Sequence, residues 1–243
     1  MPTVIPFPKA KKEWFSIKAK SEEEADVFIY DVVGDSWIGN DAATVVKEIR
    51  NIKAKKINLR INSPGGSVFD GMAIYNALLG HEATVTTYID GLAASIASVI
   101  ALAGDKIIMA ENAMFMIHNP WTFTAGDAKA LRKEADVLDQ VRETILNTYT
   151  SRTGGDREDL AKSMDDETWY DATQAKEAGF VTDVSKASKI AACADKDTLE
   201  ALGFKHAPES LSSAPAESSE PSPSGVPRSL LERRLALFEK TNN

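Results

Sequence analysis

YIDGLAASIASVIALAGDKIIMAENAMFMIHNPW, residues 88–121, is the stretch on which the reading of this chain turns. From Gly91 to Gly104 it is an almost unbroken run of small and aliphatic residues. The run is too short to cross a bilayer and predicts a fully buried core helix over 91–102. Ser95 and Ser98 sit inside it. A serine in a buried helix satisfies its hydroxyl by bonding back to a carbonyl one turn earlier, so a packed core serine accounts for either one. The flanking segments ask for more. Upstream, INLRINSPGG (57–66) is an alternating β-type segment that runs into a Pro-Gly-Gly turn. Downstream, residues 113–118 form a second apolar β-type segment that ends in His118 and is stopped by Asn119-Pro120. A glycine-rich backbone corner, a serine at a helix and a histidine at a strand end are the parts of an acyl-transfer site: oxyanion donors, nucleophile and base.

Working outward, 27–33 (VFIYDVV) reads as a strand ended by Gly34, and Asn40 or Asp41 caps a helix carrying Val45, Val46, Ile49 and Ile52 at helical spacing. The 57–62 strand follows. Strand, helix, strand at this length is a βαβ unit with parallel pairing. After Pro64-Gly65-Gly66, residues 67–79 predict a helix with Val68, Met72, Tyr75 and Leu79 turned inward. The glycines lie beyond the carboxyl end of a strand, where open α/β sheets place ligands. Strands are predicted at 85–89, 106–109 and 114–117. A long amphipathic helix follows over 127–150, with Leu131, Ala135, Leu138, Val141, Ile145 and Tyr149 as its apolar stripe and Gly154-Gly155 as its stop. A short capped helix is predicted at 156–163. Asp171 and Gln174 spell a capping box for a helix over 172–178, and 180–184 returns as a strand.

The domain reading is an N-terminal arm over 1–24, one α/β domain over 25–190, a Ser/Pro-rich linker over 191–227 and a short amphipathic helix over 228–243. The segment APESLSSAPAESSEPSPSGVP (207–227) is too polar to bury an ordering core. SLLERRLALFEK (229–240) places Leu230, Leu231, Leu235 and Phe238 on one helical face, a docking element on a tether. The formal charge of −8 argues against a nucleic-acid surface. No apolar run signals a membrane span or a signal peptide. The single cysteine, Cys193, has no intrachain partner and suits a reducing cytoplasm. The chemistry calls for no metal and no organic cofactor.

In order and spacing, INSPGGSVFDGMAIYNAL (61–78), DGLAASIAS (90–98), MFMIHNP (114–120) and ETWYDATQAKEAGF (167–180) resemble the Clp-type serine peptidases. The likeness is greatest to the Clp-like prohead (head maturation) proteases of tailed phages, and it covers about residues 25–188. The resemblance implies the crotonase-like fold, a repeated ββα superhelix with a long protruding helix. It also implies Ser95 as nucleophile, His118 as general base, and the N–H groups of Gly66 and Ile96 as oxyanion donors. Gly65 and Ser67 fall where the family pairs its extended substrate with a strand. The family's aspartate column falls on Glu167, with Asp166 and Asp165 just before it; Glu167 is preferred and Asp166 is the alternative.

The activity expected from this likeness is a serine endopeptidase that trims scaffold or capsid-protein extensions in an assembling prohead. It would work as a homo-oligomer, in the host cytoplasm or prohead interior, with the C-terminal helix available for docking. Three other readings are carried: an ATPase-dependent degradative Clp subunit, an acyl-CoA enzyme of the same architecture, and a catalytically inactive capsid assembly factor. The Ser95 and His118 pair weighs against the last two, because neither needs it.

Overall fold

A computed structural model describes residues 14–34, 42–187, 194, 199–200 and 202–208. The tethered C-terminal helix, most of the linker, Cys193 and most of the N-terminal arm lie outside the described residues.

The fold is α/β, built on an eight-stranded sheet. β1 (Phe15–Ala19) pairs antiparallel with β2 (Glu24–Tyr30) at one edge. From β2 the chain passes through helix α1 (Ala42–Asn51) to β3 (Lys56–Ser63), then through α2 (Val68–Leu79) to β4 (Thr84–Ala94). The β2–β3 and β3–β4 pairings are parallel, as βαβ units require. Alternation decides what each face of β3 meets. Ile57, Leu59 and Ile61 are fully buried in one cluster with Val45 and Ile49 of α1 and Ile74 and Leu78 of α2. Each such side chain withdrawn from water contributes about 1.5–3 kcal/mol. Asn58 and Arg60 point the other way, into a polar layer where Arg60 and the Tyr30 hydroxyl both donate to Asp90 and Asn58 donates to Asp26.

β4 is longer than its sequence suggests, and it branches. Residues 86–89 pair with β5 (Lys106–Ala110), whereas 92–94 pair with β6 (Met114–Ile117). This corrects the expected helix over 91–102. Gly91–Ala94 is strand, because Ala93 finds Ser63 on one side and Phe115 on the other; α3 occupies only Ile96–Ala101. Short apolar runs do not distinguish the two states by periodicity, and here pairing on both edges overrides the helical preference of alanine.

The long helix α4 (Ala128–Thr153) is capped by the Asp127 carboxylate and ended by Gly154 at a φ of 67°. Only the C-terminal part of its stripe packs: Ile145, Leu146 and Tyr149 are buried, and Leu131 is exposed. α5 (Arg157–Asp165) leads to β7 (Thr168–Tyr170), a strand that the sequence reading lacks. The capping box of Asp171 and Gln174 forms as expected and starts α6 (Ala172–Glu177). The last strand among the described residues, β8 (Asp183–Ser185), starts later than expected, after Phe180 and Val181 have entered the core. Packing continues past the boundary expected at 190, since Ala194, Leu199 and Phe204 are buried against Leu92, Ala94 and Met116.

On α2 the buried face is Gly71, Ile74, Tyr75, Ala77 and Leu78, while Leu79 faces solvent. Gly71 is central because Ile96 of α3 fills the space that its side chain would take; a Cβ there would stand 2.2 Å from Ile96 Cγ1. Overpacking of this kind costs about 1–3 kcal/mol. Gly71→Ala is therefore expected to lower the urea midpoint by a corresponding amount, read by circular dichroism, without changing the helix content of the folded state.

Candidate active site

Three strand ends converge at one corner of the sheet. Ala94 of β4 lies opposite Met116 of β6, and Ile117 of β6 lies opposite Thr168 of β7. One step further along these registers are Ser95, leaving β4, His118, leaving β6, and Glu167, entering β7. The strand pairing itself therefore gathers a hydroxyl, an imidazole and a carboxylate.

Ser95 is fixed by its backbone. Its N–H donates to the Met116 carbonyl at 3.1 Å. Its φ of 54° and ψ of −130° lie in a region that costs a non-glycine residue about 1–3 kcal/mol. The strain has a local cause, because the chain turns sharply here from β4 into α3. The Ser98 hydroxyl donates to the Ser95 carbonyl and is bonded in turn to the Tyr149 hydroxyl at 2.7 Å. Ser98 is thus the satisfied core serine, and its bond holds the strained turn in place.

His118 Nε2 stands 2.8 Å from Ser95 Oγ. His118 is 9% exposed. Burial pushes the imidazole down to about 4, opposed by the charge of Glu167 and reinforced by that of Lys205. It is therefore neutral at pH 7, with Nε2 in hydrogen-bond reach of the hydroxyl.

The Pro-Gly-Gly corner packs directly over the serine. A Cβ on Gly65 would lie 2.6 Å from Ser95 Cβ and 3.2 Å from the Ile96 nitrogen; on Gly66 it would strike the Val33 carbonyl oxygen at 2.2 Å. Both positions have positive φ, 96° and 146°. Only glycine permits this approach. The bridge from the corner to Val33 uses the Gly65 carbonyl and the Ser67 N–H, so the Gly66 N–H between them takes no part in it. Ile96 is the first residue of α3, and its N–H has no acceptor within the helix. Gly65 and Ser67, the expected substrate-binding positions, are tied into the same corner. The Gly65 N–H already donates to Ser63 Oγ and its carbonyl accepts from Val33, while the Ser67 N–H and carbonyl are taken by Val33 and Gly71. Gly66 is the residue of this corner outside those bonds.

The three consecutive acids have three different environments. The Asp165 carboxylate accepts from Asn119 and Arg142. Asp166, the alternative third residue, is exposed and paired with Lys162. Glu167 is 8% exposed and turned inward, because its own φ of 51° reverses the chain after α5. Its carboxylate accepts from the N–H of Lys205 at 2.8 Å, from that of His206 at 2.7 Å, and from Trp169 Nε1 at 3.4 Å. These contacts were not legible in the sequence. GFKH (203–206) carries no motif, and Phe204 nonetheless stacks on the His118 ring with centroids 5.2 Å apart and planes 8° from parallel. Among the described residues, no group of three or more His, Cys, Asp or Glu is placed to hold a metal ion.

Glu167→Gln is expected to destabilise the fold by about 1.5–3 kcal/mol, since a buried charge-assisted set is lost. Asp166→Asn should cost no more than about 1 kcal/mol, as for exposed pairs. Denaturant midpoints check this. In an NMR titration the same Glu167 change, by removing a nearby anion, moves the His118 midpoint down, whereas Asp166→Asn leaves it in place.

Comparison with known proteins covers the same ground. Residues 9–188 match the family model described as Clp protease. The chain is 35% identical over 179 residues to an ATP-dependent Clp protease proteolytic subunit of Chlorella vulgaris, covering 73% of this chain and 89% of that protein. It is 33% identical over 163 residues to ATP-dependent Clp protease proteolytic subunit 1 of Streptomyces coelicolor, with 66% and 74% covered. An ATP-dependent Clp protease proteolytic subunit of Pleurastrum terricola is 29% identical over 171 residues, covering 70% of this chain and 87% of that protein. With the matched region running through both Ser95 and His118, the chain belongs to the Clp protease family and is a serine peptidase.

Proposed function

We propose that this protein is an endopeptidase in which Ser95 is the nucleophile and His118 the general base. The carrying observation is the 2.8 Å contact between Ser95 Oγ and a neutral, buried imidazole. In the tautomer protonated on Nδ1, Nε2 accepts the hydroxyl proton as Oγ attacks the scissile carbonyl carbon. The carbonyl oxygen gains the electron pair and is received by the N–H groups of Gly66 and Ile96; each such donor is worth about 10²–10³ in turnover. The imidazolium then returns its proton to the leaving amine, and water cleaves the acyl-serine by the same route. Glu167 supplies a negative charge that favours the imidazolium during the cycle.

For the biological role, we favour cleavage of scaffold or capsid-protein extensions during prohead assembly, by a homo-oligomer. The support is the motif set INSPGG, DGLAAS and IHNPW, which resembles that of phage head maturation proteases. The second reading, a proteolytic subunit fed by an ATPase, is favoured by the printed descriptions of the Chlorella and Streptomyces relatives. Purified protein that trims a co-purified scaffold protein without any ATPase supports the first; dependence on an added ATPase supports the second.

The chemistry has its own test. A fluorophosphonate probe is expected to label Ser95, and Ser95→Ala should abolish labelling and reduce peptide hydrolysis by about 10⁴-fold or more. Intact protein that neither labels nor hydrolyses would instead fit an inactive assembly factor. Because the base must be unprotonated, the labelling rate should hold as the pH drops past 6.5 and fall only as it passes through about 4.

A further inference from the structure

Residues 199–200 and 202–208 lie beyond the region that matches the Clp protease family, yet they close over the corner that holds Ser95 and His118. The segment is tightly turned, with the N–H groups of Gly203 and Phe204 donating to the carbonyls of Glu200 and Leu199 at 3.0 Å. Gly203, at a φ of 86°, lets the turn pass over Trp121, whose ring would lie 3.1 Å from a Cβ at that position. Leu199 is fully buried and Phe204 is 6% exposed, packed with Leu92, Ala94 and Met116. These are residues of the two strands that deliver Ser95 and His118. Phe204 lies flat on the His118 ring, and the next two amides, of Lys205 and His206, donate to the Glu167 carboxylate.

We infer that residues 199–200 and 202–206 are a positioning clamp for the serine–histidine pair: the Phe204 face sets the plane of the imidazole, and the 205–206 amides hold the Glu167 charge beside it. The inference rests on the reading of Ser95 and His118 as nucleophile and base. The geometry explains why this segment is needed. A glutamate has one more rotatable bond than the aspartate of the resembled family, and two backbone donors restrain it. A stacked ring blocks rotation of the imidazole about its own axis and shields it from water, which keeps it neutral. The charged groups facing the imidazole are Glu167 from β7's entry turn and Lys205 from the clamp itself. Phe204 is a positioning residue, since it touches the base and not the scissile bond.

The test uses the full chain with Phe204→Leu, Phe204→Ala and Phe204→Tyr. The leucine keeps apolar burial without a flat face, and the tyrosine restores the face. Two readouts are followed: the rate of fluorophosphonate labelling of Ser95 against pH, and the His118 imidazole resonance, one of only three histidines in the chain. Phe204→Leu is expected to lower the labelling rate by about tenfold to a hundredfold, the scale of loss when reacting groups are misplaced by about 1 Å. Phe204→Tyr should stay near the parent rate. Phe204→Ala, which admits water, should also raise the His118 midpoint from about 4 toward 6.5, moving the acid limb of labelling to higher pH. Parent-like rates and parent-like titration in both Leu and Ala variants would overturn the clamp, as would faster labelling, which would make the segment a lid. If the parent protein itself does not label, the peptidase reading fails. The His118 resonance then decides the clamp separately: a shift on losing the ring supports it, and an unmoved resonance overturns it.

Discussion

The pairing of Ala94 with Met116 is the constraint from which the rest of the site follows. By parting from β5 at Gly91 and joining β6 instead, β4 carries its C-terminal end to a second partner. Ser95 and His118 are the residues that leave those two strands. Strand registers are unforgiving, since a slip of one residue turns every side chain to the opposite face. The register here is held by the complete burial of Leu92, Ala94 and Met116, so the geometry of the serine–histidine pair is set by the core and not by the flexibility of two loops. The strained turn at Ser95 persists for the same reason: its N–H and its carbonyl are both tied, to Met116 and to Ser98.

A second constraint works on the imidazole. Burial favours the neutral imidazole, whereas a nearby anion favours the imidazolium that forms during proton transfer; each opposes the other. The protein meets both demands by placing the anion close and fully bonded. Glu167 is buried and accepts from backbone amides, and burial dominates the pKa of His118. The aromatic contact from Phe204 belongs to the burial side of this balance.

Much of this architecture was legible in the chain. Alternation marked β3, an apolar run stopped by Asn119-Pro120 marked β6, helical spacing with Asp127 and Gly154 marked α4, and the Asp171 and Gln174 box marked α6. Other parts were not. Gly91–Ala94 has the composition of a helix and is a strand; Leu79 has the spacing of a core residue and faces water; β7 is too short to show a period. In each case the local signal was weak, and pairing or packing with distant residues decided the outcome.

The sequence by itself determined which chemical groups were available and in what order: a glycine corner at 65–66, a hydroxyl at 95, an imidazole at 118 and a run of acids at 165–167. Backbone propensity and motif spacing are local properties, and they suffice for that much. Only the tertiary structure decided that Glu167 alone of the three acids turns inward, that the Gly65 and Ser67 backbones bond to Ser63, Val33 and Gly71, and that Phe204 covers the imidazole. Those facts depend on a left-handed turn at a non-glycine residue and on contacts between segments far apart in the chain, and neither leaves a periodic trace in the order of amino acids.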